Sequence, residues 1–244
     1  MRTNRVHVPA PVERGALVAL PATAASHVAR VLRLRAGAPL VVFDGRGHDW
    51  LCEIESVEGE RVQVRVVERR PGLPPSPLRI TLVQAVSRGE RMDWTLQKAT
   101  ELGVAAIAPV ISMRSVVRLD DEQAARRMRH WQGVVTAACE QSGRSLLPEL
   151  REPRELGEWL GGSPRSGQRL VLSPAGPASL TGLASVSAHV ELLVGPEGGL
   201  DDAEISAASR AGFMPVRLGP RVLRTETAAV AALAVLQALW GDLQ

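Results

Sequence analysis

The chain has 244 residues, 45% hydrophobic and 23% charged, enough for one large domain or two modest ones with a buried core. No apolar run reaches membrane-spanning length, the start MRTNRVHVPAPVERG lacks the apolar stretch of a secretory signal, and the two cysteines, Cys52 and Cys139, are far apart. These features argue against a membrane span, a disulfide framework or a zinc site, and for a cytoplasmic protein. The net charge of +3 lies wholly in residues 1–74, where 11 Arg face 8 acidic side chains; the rest balances 18 against 18. Such a basic segment is compatible with a phosphate backbone partner. Of the 29 basic residues only Lys98 is lysine, a compact titratable ammonium among guanidinium groups.

In chain order, TAASHVARVLRL (23–34) has helical spacing, with Val28, Val31 and Leu32 on one face. LVVFDG (40–45), WLCEIESV (50–57) and RVQVRVVE (61–68) follow as strands separated by glycine-bearing turns. The alternation of Val62, Val64 and Val66 against Gln63, Arg65 and Val67 suits a half-buried strand, and the group suggests a small β-barrel. Arg69 to Pro77 holds four prolines and reads as a stiff extended linker. Beyond it strands and helices alternate. RITLVQAVS (79–87) is a strand, RMDWTLQKATELG (91–103) a helix ending on Gly103, and AAIAPVI (105–111) a strand. Residues 119–143 form a long helix starting near Asp120 or Asp121. Strands follow at 169–173, 190–195 and 214–219, and a nearly all-apolar helix occupies 225–240. This alternation predicts an α/β domain with a mainly parallel sheet.

Two strand ends carry the chemistry. LLVGPEGGLD (192–201) runs from a buried strand into a glycine-rich turn, and Asp201-x-x-Glu204 matches a capping box at the next helix. Such glycines either admit a ligand to the backbone or simply make a tight turn. LGPRVLRTET (218–227) ends a second strand, with Thr225 placed to cap the last helix and Arg221 and Arg224 flanking an anion-favouring helix start. Lys98 and Glu101 share a helix face, as a functional pair or an exposed ion pair. Glu140, Gln141 and Arg144 lie in CEQSGR, either a site or a solvated helix end. The five histidines (His7, His27, His48, His130, His189) are scattered, so no metal is expected.

KATELGV (98–104), ACEQSGR (138–144), LLVGPEGGL (192–200) and LGPRVLRTETAA (218–229) stand in the order seen in a known family. With VSRGERMDWTLQ (86–97) and HVARVLRL (27–34), the chain resembles the small-subunit (16S) ribosomal RNA uridine-N3 methyltransferases of the SPOUT superfamily. The resemblance covers nearly the whole chain. It implies an α/β fold with a PUA-like RNA-binding β-barrel at residues 1–72, a Pro-rich linker at 73–78 and a trefoil-knotted SPOUT methyltransferase domain at 79–244. It implies S-adenosyl-L-methionine as cofactor, held by three loops: Leu172 and Ser173 with Pro174; Val194, Gly195, Pro196, Glu197, Gly198 and Gly199; and Leu218, Gly219, Leu223, Arg224 and Thr225. A homodimer acting on 16S rRNA or the small ribosomal subunit is implied as well.

Transfer to uracil N3 needs a base for its proton or a cation for the resulting charge. Glu140 or Glu226 is the candidate base, and Arg224 or Lys98 the candidate cation. Arg5, Arg30, Arg33, Arg88, Arg144 and Arg221 are candidates for RNA contact. The early Arg5-Val6-His7 lacks the aromatic often found there in the family. With no tyrosine and only Phe43 and Phe213, base stacking falls to Trp, His or Arg. A SPOUT enzyme for transfer RNA or ribose, or a non-catalytic assembly factor, are the alternatives.

Overall fold

The computed structural model describes residues 3–9, 12–115, 121–162 and 167–243. The chain divides into two compact units. One takes the chain up to Pro74 together with Thr136–Leu147, and the other takes Pro75–Val135 and Pro148 onward.

The first unit contains β1 (Arg5–His7), β2 (Leu17–Ala19), helix α1 (Ala22–Ser26), β3 (Pro39–Phe43), β4 (His48–Glu58) and β5 (Arg61–Pro71). They form one sheet in the order β1-β3-β4-β5-β2, parallel only between β1 and β3. Among the described residues β1 and β2 are not paired, so hydrogen bonds do not close the expected barrel. The expected alternation holds in β5: Val62, Val64 and Val66 are buried between exposed neighbours and join Leu40, Val42, Trp50 and Ile54 in the core. Burying each such side chain stabilises the fold by roughly 1.5–3 kcal/mol. Helix α1 is shorter than read from sequence, because from His27 to Val31 the chain widens into a π turn. Strand β5 also runs to Pro71, into the stretch read as linker. There it pairs with β4 alone, so proline's missing N–H breaks no ladder.

Arg5 fastens this unit. Its side chain is only 10% exposed and pairs with Asp49, with Nη2 donating to Oδ1 at 3.0 Å. The same nitrogen donates to Arg144 O and to Ser145 Oγ, both at 3.3 Å. The sheet is thereby joined to residues far along the chain.

The second unit contains β6 (Arg79–Ala85), α2 (Glu90–Glu101), β7 (Ala106–Ile111), α3 (Asp121–Ser142), β8 (Glu149–Leu150), β9 (Arg154–Glu155), α4 (Leu156–Gly161), β10 (Gln168–Leu172), β11 (Ala178–Ser179), β12 (His189–Val194), α5 (Asp202–Arg210), β13 (Phe213–Arg217) and α6 (Thr225–Trp240); the last turns of α3 belong to the first unit. Asp120, one proposed start of α3, lies outside the described residues. The sheet runs β11-β13-β10-β12-β6-β7-β8, with β9 also on β7, and every pairing is parallel. Parallel strands buried on both faces read as continuous apolar runs, which is why β6, β7 and β12 are legible in the sequence. Helix α6 packs on α2. Near its end the buried Gln237 accepts from Ser76 Oγ at 2.7 Å and donates to Leu102 O at 3.0 Å. Among the described residues no helix is long and apolar enough to cross a membrane.

Removing Asp49 leaves the Arg5 guanidinium buried without its carboxylate. Asp49→Ala is expected to destabilise the first unit by about 2–4 kcal/mol, read as a lowered midpoint in urea denaturation.

Candidate functional site

In a parallel sheet all the carboxyl ends lie along one edge, where ligands of open α/β sheets bind. Here β13, β10 and β12 are neighbours. The segments following them line a cavity of about 360 Å³. Leu172 and Ser173 come from the end of β10, Val194 to Gly199 from the end of β12, and Leu218, Gly219, Leu223 and Thr225 from the passage into α6. Every residue expected to hold the cofactor lines this cavity except Arg224. Arg221, expected at RNA, lines it too, as does Val222 within the expected 218–225 loop; Leu200, Asp202, Ile205, Val216 and Ala228 line it without having been expected. Asp202 and Ile205 lie on α5, one and four residues past the capping Asp201, so helical spacing from that residue was the available signal.

The glycines are used differently. A Cβ on Gly195 would lie 2.8 Å from the Leu200 nitrogen, and one on Gly198 3.3 Å from the Arg114 side chain. Gly199 and Gly219 take φ of +69° and +73°, a region L side chains rarely adopt. Asp201 caps α5 as expected. Glu204 N–H donates to Asp201 Oδ1 at 2.7 Å and Asp201 N–H to Glu204 Oε2 at 2.9 Å. Thr225 does not cap α6: Arg224 occupies the N-cap, with no side-chain cap bond. The Thr225 hydroxyl instead donates to Gly195 O, just past β12, at 2.6 Å.

Glu197 is a clamp. Its Oε1 accepts from Arg88 N–H at 3.0 Å and Arg91 Nη1 at 2.9 Å. Partial burial pushes the carboxyl up, but the Arg88 N–H, its own N–H and the Arg91 guanidinium outweigh this and hold it below the ordinary 4.5. Arg114 adds a second tie by donating to Gly198 O at 2.8 Å.

The candidate catalytic residues separate. Arg224 is exposed and Glu226 half-buried on either side of Thr225, and neither lines the cavity. Glu226 Oε2 is buried without a hydrogen-bond partner among the described residues. Lys98 Nζ is held by both oxygens of Glu101, at 2.8 and 3.0 Å. Glu140 belongs to the first unit, where it accepts from His7 N–H at 2.9 Å. Of the basic residues, Arg30, Arg33, Arg88 and Arg221 are exposed and Arg144 half-buried; Arg30 pairs with Glu60. Arg5 is spent on Asp49 and is not presented to a phosphate. Burial raises both cysteine thiols to about 11, so neither is a thiolate nucleophile near neutrality. The described residues contain no cluster of three His, Cys, Asp or Glu suited to a metal.

The pattern of an RNA methyltransferase domain matches residues 74–237, and that of an RNA methyltransferase PUA domain matches residues 20–67. The ribosomal RNA small subunit methyltransferase E of Buchnera aphidicola is 30% identical over 242 residues, covering 99% of this chain and 98% of that protein. The chain belongs to the ribosomal RNA small subunit methyltransferase E family. Two solved structures agree with that membership over 100% of both chains. A methyltransferase of Legionella pneumophila in complex with the cofactor S-adenosylmethionine is 42% identical with a TM-score of 0.96. A ribosomal RNA small subunit methyltransferase E of Neisseria gonorrhoeae bound to S-adenosylmethionine is 39% identical with a TM-score of 0.92. The family fold is thus an α/β methyltransferase domain with an N-terminal PUA-type domain.

Because Glu197 is depressed on folding, its contribution is present above the ordinary glutamate range and is lost as pH falls through its lowered value. Hydrogen exchange in segment 195–200, corrected for intrinsic rate, is expected to accelerate below pH 4.5. Glu197→Gln should show the faster exchange already at neutral pH.

Proposed function

We propose that this protein transfers the methyl group of S-adenosyl-L-methionine to N3 of a uridine in 16S ribosomal RNA. The observation that carries this reading is the cavity at the ends of β10, β12 and β13 in a chain of this family. Its residues fit the cofactor. Leu172, Val194, Ile205, Leu218 and Leu223 offer apolar walls for a nucleoside, and Gly195 brings bare backbone to the cavity. Its size is within the range of small-molecule sites. When bound, the cofactor supplies a methyl already activated by the sulfonium charge.

The chain's own residues must hold the acceptor in line, exclude water and accept the N3 proton. Glu226 is the favoured base, since its Oε2 accepts no hydrogen bond among the described residues, whereas Glu140 Oε1 is occupied by the His7 N–H. Arg224 stabilises the negative charge on the uracil oxygens; Lys98, held by Glu101, is the weaker candidate. With the cofactor bound to supply the methyl, Glu226 would take up the proton that leaves N3. The base is presented unpaired or flipped.

The reading extends to architecture. Residues 1–72 act as the PUA-like RNA-binding module, 73–78 as the tether and 79–244 as the SPOUT domain, with Arg30, Arg33, Arg88, Arg144 and Arg221 toward RNA. The trefoil knot in this reading is supported by the family membership and the likeness to its solved structures. A homodimer is supported by exposed Trp94 on α2 and exposed Leu239 near the end of α6, with exposed Leu243 in the segment after it.

The test is methyl transfer from labelled S-adenosylmethionine to small-subunit RNA lacking the modification, free and in assembled subunits, followed by nucleoside mass analysis. N3-methyluridine is expected. Glu226→Gln is expected to lower kcat by roughly 10²–10⁴ with cofactor affinity retained. Normal turnover in this variant would remove Glu226 from the mechanism, and transfer to another atom would overturn the uridine-N3 reading.

A further inference from the structure

Gln84 lies near the end of β6, in register with Val194 of β12, and is fully buried. A buried amide destabilises a fold unless it is hydrogen-bonded. Its Nε2 donates to Ala85 O at 3.0 Å and to Thr225 Oγ1 at 3.1 Å. Thr225 donates its only hydroxyl proton to Gly195 O at 2.6 Å, so it can only accept from Gln84. Ala85 O also only accepts. Both neighbours therefore require the NH₂ end of the amide, which fixes its orientation. Gln84 Oε1 is left buried with no donor among the described residues.

The side chain is thus retained for its donors, and these point along one line: Gln84 N–H to Thr225 O–H to the Gly195 carbonyl. We infer that Gln84 is a positioning residue for the cofactor cavity, fixing through Thr225 the glycine turn after β12 against the start of α6. Gly195 has little slack, since even a methyl there would meet the Leu200 nitrogen at 2.8 Å. Two of the three segments lining the cavity are therefore set by one buried amide that does not line it. Bonds in such a series polarise one another, so losing the first weakens the second.

This inference rests on reading the cavity as the S-adenosylmethionine site, and its test separates the two. Gln84→Met keeps the side-chain length and removes the unpaired oxygen together with the donors, so the fold is expected to survive. Gln84→Glu keeps the shape, but a carboxylate accepts from Thr225 and draws its proton from Gly195. S-adenosylmethionine affinity by calorimetry and methyl-transfer kinetics are measured for both, for Thr225→Val, for Thr225→Ser and for the Gln84→Met/Thr225→Val double variant.

The expected result for Gln84→Met is a cofactor Kd raised about five- to tenfold, the loss of an ordinary net hydrogen bond or slightly more, with the KM for RNA unchanged. Thr225→Ser, which keeps the hydroxyl, should retain more cofactor affinity than Thr225→Val. The double variant should be no worse than Thr225→Val, because both changes cut one relay. Hydrogen exchange in segment 195–200 of the ligand-free protein should accelerate in Gln84→Met. Should that variant not fold, Gln84→Asn, which keeps the amide but shortens its reach, carries the same expectation. Wild-type affinity and loop protection in the Gln84 variants, or full additivity in the double variant, overturns the inference. If the wild type itself binds no S-adenosylmethionine, the functional reading fails separately, and the exchange experiment alone decides whether Gln84 positions the turn.

Discussion

Helix α6 starts where parallel strands end, and the bond from Thr225 to Gly195 holds it there. Parallel pairing places the ends of β10, β12 and β13 on one edge, so the loops that leave them converge without any special sequence to draw them together. Convergence alone gives a loose mouth. What makes it a cavity of defined shape is that the last helix is fastened at both ends. Thr225 ties its start to the end of β12, and Gln237 ties its last turns to Ser76 and Leu102. Its amino end carries partial positive charge, and the exposed Arg221 and Arg224 precede it in the chain.

The glycine turn that forms the middle wall has few side chains to hold itself, so it borrows rigidity. Glu197 reaches the start of α2, and Arg114, after β7, reaches Gly198 O. Glu204 closes the capping box on α5 while also accepting from Met113 N–H at 2.8 Å. Three separate elements thus restrain a segment whose backbone must lie bare toward a ligand. Such preorganisation lets a site align a donor and an acceptor without reordering itself at each turnover.

The first unit solves a different problem. Its sheet is small, and Thr136–Leu147 from much later in the chain joins it. The Arg5–Asp49 pair with Arg144 O and Ser145 is the fastening. This explains why an arginine that looked suited to a phosphate is turned inward. The same segment supplies Glu140, whose carboxylate is used on the His7 backbone, so the CEQSGR motif works in the architecture of the module.

By itself the sequence determined the strands and helices whose periodicity is strong, the glycine turn, the capping box at Asp201 and Glu204, and, through the spacing of four motifs, the family. These are local properties: hydrophobic period, φ preference and side chain to backbone reach over three residues. The tertiary structure alone decided which hydrogen-bond partner each polar side chain takes. Thr225 bonds Gly195 rather than capping α6, Arg5 pairs with Asp49 rather than facing solvent, and Gln84 inside an apolar strand becomes the anchor of a site it does not line. Partners 30 to 141 residues apart in the chain leave no local pattern, because a buried donor is satisfied by whichever acceptor the fold brings within 3 Å, and sequence spacing carries no trace of that distance.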